Sequence, residues 1–202
     1  MTKVYLERGT KRVFACAYDW PGWCRSAKDD EGALSALADY AERYGAIAEA
    51  AGLRFPKTAS NFHVVDRVKG DSTTDFGAPH VVAPLDKKPF TAAQAKKSVA
   101  ILEASWAAWD ELIAHAPATL RKGPRGGGRD RDQVVEHVES AVIAYSRKLG
   151  IRTIKDRDEV RAAILGVVRD RPTDTAWPIP YAVRRIAWHV LDHLWEIEDK
   201  ST

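Results

Sequence analysis

The chain has 202 residues, of which 45% are apolar and 29% charged, and its formal net charge is +3. This composition is typical of a folded globular protein and excludes a chain too polar to bury a core. Because there is no membrane-length apolar run, no apolar signal-peptide segment at the start and little net charge, we expect a cytoplasmic protein without membrane or nucleic-acid partners.

Up to about residue 86 the sequence predicts a small mixed α/β domain. Alternating apolar residues predict three short strands, at Lys3–Arg8, Arg12–Tyr18 and Phe62–Val68. Apolar residues spaced three and four apart predict one helix that begins at Asp29 or Asp30 and ends near Ala51. Three prolines within Asp71–Pro89 predict an irregular connection, with one short strand near His80–Ala83.

The chain has two cysteines, Cys16 and Cys24. Two are too few for a disulfide scaffold, and a reducing compartment would keep both as thiols. Cys16 lies in an alternating apolar run and is expected in the core. Cys24 follows the turn-forming residues Asp19–Trp23 and is expected to be more exposed. With no Cys-x-x-Cys spacing and no flanking histidine, the pattern does not indicate a reactive thiol.

From about residue 90 onward the pattern becomes helical. Capping residues, apolar spacing and terminating glycines or prolines predict four helices: Thr91–His115, Asp130 to about Leu149, Asp156 or Asp158 to about Asp170, and Pro178–Pro180 to about Lys200. Helices of this length suit a four-helix bundle. We therefore expect an α+β chain with two domains, a small mixed one over residues 1–86 and a four-helix bundle over residues 90–200.

His189 and His193 are four residues apart in the last predicted helix. This spacing places both imidazoles on one helix face, and Ile186, Val190 and Ile197 turn that face toward the core. Such a pair can give two ligands to one metal ion, or it can be two partly buried, hydrogen-bonded histidines. The metalloprotease pattern His-Glu-x-x-His is absent, because Val190 follows His189.

A third histidine, His137, lies two turns into the second predicted helix, close to its apolar stripe. It lies about 10 Å from the start of its helix, and His189 lies about 13 Å from the start of the last helix. These similar depths are compatible with the three histidines meeting at one site. Three neutral imidazoles leave one coordination position open, as in catalytic metal sites. Asp192 and Glu136 are candidates to orient a ring by hydrogen bonding, or else solvated surface carboxylates.

The segments around these histidines are Val-Glu-His-Val-Glu-Ser-Ala-Val-Ile-Ala-Tyr at 135–145 and Arg-Arg-Ile-Ala-Trp-His-Val-Leu-Asp-His-Leu-Trp-Glu-Ile at 184–197. Together they resemble the DinB/YfiT-like superfamily of four-helix bundles with a three-histidine metal site, and the likeness covers about residues 90–199. The resemblance implies that His137, His189 and His193 bind a divalent metal. We expect zinc, with nickel and manganese as alternatives.

Characterised members of that superfamily include metal-dependent transferases and isomerases that use low-molecular-weight thiols such as mycothiol or bacillithiol. The resemblance therefore implies a thiol-dependent transferase or isomerase, while an open metal position also suits a hydrolase that activates water. A metal-binding or stress-response protein without catalytic activity is the alternative from another class. Members often form dimers, which leaves a homodimer open.

A glycine-rich basic loop, residues 120–131, precedes the helix that carries His137. Its arginines include Arg125, Arg129 and Arg131, and arginine binds carboxylate and phosphate groups well. We expect the loop to stand near the metal pocket and these arginines to hold a small anionic substrate or thiol. The alternative is a solvated loop without a ligand. It lacks the Gly-Lys-Ser/Thr ending of a P-loop and any aromatic residue that could stack on a base.

Near the N-terminus, residues 13–24 are Val-Phe-Ala-Cys-Ala-Tyr-Asp-Trp-Pro-Gly-Trp-Cys, and a predicted helix follows. This strand, turn and helix resemble the HicB-like antitoxin domain over about residues 3–50. Bulky Trp23 after the glycine departs from the family pattern, and no DNA-binding segment follows. The resemblance implies a small platform that covers the bundle, forms a dimer interface or shapes the substrate pocket. An antitoxin-like interaction module is the third hypothesis.

Overall fold

A computed structural model describes residues 1–123, 128–152, 154 and 156–201. The N-terminal half contains a four-stranded mixed sheet and three helices. In chain order its elements are β1 Thr2–Arg8, β2 Val13–Ala17, β3 Cys24–Ala27, α1 Asp30–Asp39, α2 Ala41–Ala50, β4 Phe62–Lys69 and α3 Ser72–Phe76. A 3-10 helix at Pro84–Lys87 leads into the C-terminal half.

The strands lie in the order β3-β2-β1-β4, with β1 antiparallel to β2 and parallel to β4. Alternation along β1 and β2 sends their side chains to two different cores. Leu6 and Ala15 belong to the main hydrophobic core. Tyr5 and Cys16 belong to a smaller cluster that Trp188 completes. Both faces of the sheet are therefore covered.

The strand β3 was not predicted, and this changes the environment of Cys24. Its first residue, Cys24, pairs with Cys16 across the β2–β3 ladder and is only 4% exposed. The expectation of a more exposed Cys24 was therefore wrong. The turn that precedes β3 ends at Trp23, and β3 begins at Cys24, so Cys24 lies within the sheet.

The single helix predicted to end near Ala51 is two helices separated at Tyr40. Asp29 caps α1 by accepting a hydrogen bond from the backbone N–H of Gly32 at 2.8 Å. α1 packs on β2 and β3, whereas α2 packs on the C-terminal half. The break lets the two segments contact different partners.

The segment predicted to form a strand at His80–Ala83 forms none, because its polar groups are held elsewhere. The backbone N–H groups of His80 and Val81 each donate to the buried carboxylate of Glu7 at 3.0 Å. Thr74 Oγ1 donates to the same carboxylate at 2.7 Å. Glu7 therefore ties this connection to β1 and satisfies donors that a strand ladder would otherwise use.

The C-terminal half contains the four long helices that the sequence predicts. They are α4 Ala92–His115, α5 Arg131–Lys148, α6 Arg157–Asp170 and α7 Ile179–Ser201. Thr91 and Gln94 form a capping box at the start of α4, and Asp156 caps α6. α4 and α5 each pack against both α6 and α7, which closes the four helices into a bundle.

The main hydrophobic core is continuous between the two halves. It contains buried residues of the sheet such as Leu6, of α2 such as Tyr44, and of the bundle such as Leu102 and Ile186. The fold is thus α+β, with the sheet in the N-terminal half and the bundle in the C-terminal half. The division into domains at 1–86 and 90–200 stays a prediction. Among the described residues, no helix combines the length and apolar character needed to cross a membrane.

Candidate metal centre

Helices α5 and α7 bring the three predicted histidines together. His137 lies on α5, and His189 and His193 lie one turn apart on α7. The ring centroids are 4.9 Å apart for His137 and His189, 5.0 Å for His137 and His193, and 4.8 Å for His189 and His193. One ligand nitrogen from each ring can be chosen so that all three lie within 4.8 Å of one another.

The spacing of the nitrogens fits a shared metal ion. His137 Nε2 and His189 Nε2 are 3.1 Å apart. Two nitrogens bound to one tetrahedral ion at about 2.1 Å would be separated by about 3.4 Å. His189 and His193 are 5% and 8% exposed, whereas His137 is exposed. The cluster is therefore anchored in the core on one side and open on the other.

Glu196 orients one of the imidazoles. Its Oε2 lies 2.6 Å from His193 Nδ1, and its Oε1 accepts from Lys200 Nζ at 2.5 Å. The hydrogen bond with His193, reinforced by Lys200, lowers the pKa of Glu196 to about 2. A carboxylate on Nδ1 leaves Nε2 of the same ring free as a ligand, an arrangement common around protein-bound metals.

Sequence reasoning missed Glu196 and named Asp192 and Glu136 as candidates instead. The hydrogen bond of Asp192 goes to Arg25, at 2.8 Å, and Glu136 is exposed on α5. The signal for Glu196 was present in the spacing, since it follows His193 by three residues and therefore lies on the same helix face.

The surroundings of His189 favour its neutral form, which is the form that binds metals. Burial lowers the pKa of His189 well below its ordinary value, and the nearby charges of His193 and Arg185 act in the same direction. The pKa of His137 is also lowered, by burial and then by Arg129. Both rings can therefore serve as ligands without first losing a proton.

Aromatic side chains line the cluster beside His189. The Tyr145 ring stands edge-on to His189 at 5.7 Å, and Trp188 lies 5.9 Å from it. The Arg185 guanidinium lies over both of these aromatic rings, at 5.3 Å from Tyr145 and 4.7 Å from Trp188. Neither Tyr145 nor Arg185 was predicted for the site. Tyr145 was missed because the sequence alone does not show which residues of α5 face α7, whereas Arg185 precedes His189 by four residues on α7 and could have been found from that spacing.

The arginines of the basic loop differ in how close they lie to the histidines. Arg129 NH2 lies 4.0 Å from Glu196 Oε2, which places it beside the histidines. Arg131 donates to the carbonyl of Ala116 at 2.6 Å and to Asp132 at 2.8 Å. Arg125 lies outside the described residues. Anion binding by these three arginines stays a prediction.

The donor set fits a divalent metal ion that prefers nitrogen ligands. Three imidazoles converge, and one of them is oriented by a carboxylate. Zinc, nickel and similar ions suit such ligands. A scan of protein-family models and searches of curated proteins and of solved structures find no match for this chain.

Proposed function

We propose that this protein is a metal-dependent enzyme that binds one divalent ion, zinc in the first place, through His137, His189 and His193. The observation that carries the proposal is the convergence of the three rings, with two Nε2 atoms 3.1 Å apart. Three protein ligands leave one position for a water or a substrate, which is typical of catalytic rather than structural zinc.

The resemblance to DinB/YfiT-like proteins belongs to the same proposal. A closed bundle with one histidine on α5 and two on α7 supports it. The HicB-like assignment of the N-terminal half is supported by the β1–β2–β3–α1 order and by β4, which pairs parallel to β1. Under this proposal the protein is a thiol-dependent transferase or isomerase.

A bound divalent cation would act as a Lewis acid that favours the thiolate of a small thiol or the hydroxide of water. The chain's own residues would prepare that position. Glu196 holds the His193 ring, and burial keeps His189 neutral. Arg129 and Arg185 place two positive charges beside the cluster, which suits a small anionic substrate or an anionic thiol such as mycothiol or bacillithiol.

Measuring the metal content of the protein tests whether the three histidines bind a metal ion. Protein purified without affinity tag or chelator is expected to contain about one metal ion per chain by mass spectrometry, and His189→Ala to contain almost none. His115→Ala is a matched control, because His115 is exposed on α4 and pairs only locally with Glu111. Wild-type protein that binds no zinc, nickel or manganese on reconstitution would remove the basis of the proposal.

A second measurement tests whether a small thiol occupies the open metal position. Cobalt(II) in place of zinc reports its ligands in its absorption spectrum, so a low-molecular-weight thiol that occupies the open position should add a thiolate charge-transfer band in the near ultraviolet. We expect this band in the wild type. If no thiol changes the spectrum, the thiol-dependent transferase or isomerase is contradicted, and a hydrolase and the non-catalytic alternative remain.

A further inference from the structure

A row formed by one tyrosine and two cysteines crosses the sheet on the face opposite the main core. Tyr5 of β1 pairs with Cys16 of β2, and Cys16 pairs with Cys24 of β3. The two Sγ atoms are 2.6 Å apart, compared with about 2.0 Å in a disulfide bond. Both cysteines are free thiols, at 3% and 4% exposure.

The backbone holds the two cysteines in a position that a disulfide can bridge. The N–H of Ala17 donates to the carbonyl of Trp23 at 3.0 Å, so the Ala17–Trp23 pair is hydrogen-bonded across the strands. Antiparallel pairs alternate, and the neighbouring pair Cys16–Cys24 is therefore a non-hydrogen-bonded one, with Cα atoms about 4.5 Å apart. This separation lies within the range that disulfides span.

A small cavity lies next to the pair. It has a volume of about 10 Å³ and is lined by Cys16, Cys24, Arg184, Tyr181 and Trp188, among other residues. Such a volume holds about one water-sized molecule. Hydrogen peroxide is only slightly larger than water and is the kind of reagent that such a cavity could admit, whereas bulkier reagents would be excluded. Burial also raises the pKa of the Cys24 thiol, so its reaction should be slow compared with that of an exposed cysteine.

We propose that Cys16 and Cys24 form a reversible cross-strand disulfide when the protein meets a small peroxide. One sulfur attacks the peroxide, becomes a sulfenic acid and releases one molecule of water. The second sulfur attacks that sulfenic sulfur, a second water leaves, and the S–S bond forms. Two thiols and one hydrogen peroxide thus give one disulfide and two waters, and a dithiol reductant reverses the change by exchange.

Intact mass measurements on the folded, reduced full chain, as purified, test this proposal. After hydrogen peroxide treatment and removal of the peroxide, the protein is denatured in an alkylating reagent. We expect a mass lower by two hydrogens, no alkylation and a monomer on a non-reducing gel. Treatment with dithiothreitol before alkylation should restore two labels, and peptide mapping should identify the Cys16–Cys24 link.

Cys24→Ala is the matched control, and it should take up one label when reduced and form no intramolecular disulfide after peroxide. The wild-type measurement stands even if that variant fails to fold. Two labels on the peroxide-treated wild type would overturn the proposal, as would sulfinic or sulfonic acid without a disulfide, or a link only between chains.

Discussion

The carboxylate of Glu196 contacts the imidazole of His193, which belongs to the metal site. It also contacts two cations, the ammonium of Lys200 and, at 4.0 Å, the guanidinium of Arg129. A carboxylate that orients a metal-binding histidine commonly contributes about 10- to 100-fold to metal affinity. We expect Glu196→Ala to weaken zinc binding by about that factor while the fold is retained, as measured by competition with a chromophoric chelator.

Glu198→Ala is the matched control for that substitution. Glu198 lies two residues further along α7 and pairs with Arg43 at 2.6 Å rather than with a histidine. Its loss should leave zinc affinity unchanged. Equal effects of the two substitutions would contradict a role for Glu196 in orienting His193.

The ion pair of Arg184 and Asp86 is buried between α7 and the 3-10 helix, with side chains 8% and 1% exposed. Arg184 also donates to Tyr5 Oη at 3.1 Å. Because Arg184→Leu would leave the Asp86 carboxylate buried without its partner, we expect the free energy of unfolding to fall by about 3–5 kcal/mol. Urea unfolding at neutral pH measures this change.

The exposed pair of Arg169 and Glu103 provides the comparison, at 3.1 Å and with both side chains more than half exposed. Arg169→Leu should change the free energy of unfolding by less than about 1 kcal/mol. A similarly small effect of Arg184→Leu would show that Asp86 is accommodated without its cation.

At the scale of elements, the short helix α3 holds the turn between β1 and β2 through Asp75. Its carboxylate accepts hydrogen bonds from the hydroxyl and the backbone N–H of Thr10 and from the N–H of Lys11. These hydrogen bonds lower the pKa of Asp75 to about 2, and the bond from the Thr10 hydroxyl contributes most. The folded state therefore favours the carboxylate form.

The sign of the pH effect follows from that lowered pKa. The contribution of Asp75 is fully present above the pKa of the unfolded chain, near 4, and is lost as the pH falls through about 2. We expect Asp75→Asn to be less stable than wild type at neutral pH and to lose stability less steeply between pH 4 and 2. Asp39→Asn, at the exposed end of α1, should keep the wild-type slope.

The long helices could be predicted because their periodicity and caps act locally, as Thr91 and Asp156 show. The strand β3 could not be predicted, because its four residues are stabilised by pairing with β2 rather than by a sequence pattern of their own. The break at Tyr40 was missed for a similar reason, since α1 and α2 contact different partners within one apolar repeat.

The same contrast holds at the site. The spacing of His189 and His193 indicated a shared face. The position of His137 near the apolar stripe of its helix made it a candidate third ligand, and the family resemblance then implied that it is one. The ring centroids lie within 5.0 Å of each other because α5 and α7 pack side by side. The depth of each histidine along its helix could not predict that packing. Tyr145 was missed for this reason, because only tertiary structure places it against His189. Arg185 lies four residues before His189 on α7, so helix spacing could have indicated it.

At the scale of the whole molecule, one hydrophobic core joins the sheet and the bundle. It includes Trp23 in the N-terminal half and Trp109 in α4, both fully buried. Because the halves share buried surface, we expect a single cooperative unfolding transition in urea, with tryptophan fluorescence and far-ultraviolet circular dichroism coinciding. Two separate transitions would instead favour independent domains over residues 1–86 and 90–200.

The most direct test of the three-histidine centre is X-ray absorption spectroscopy at the zinc edge on zinc-loaded protein. We predict about three imidazole nitrogens at about 2.0–2.1 Å and one further oxygen or nitrogen ligand. His137→Ala should lose one imidazole from this shell or lose the metal. A sulfur ligand at about 2.3 Å, which would point to Cys16 or Cys24, or a shell with a single imidazole, would contradict a metal centre formed by His137, His189 and His193.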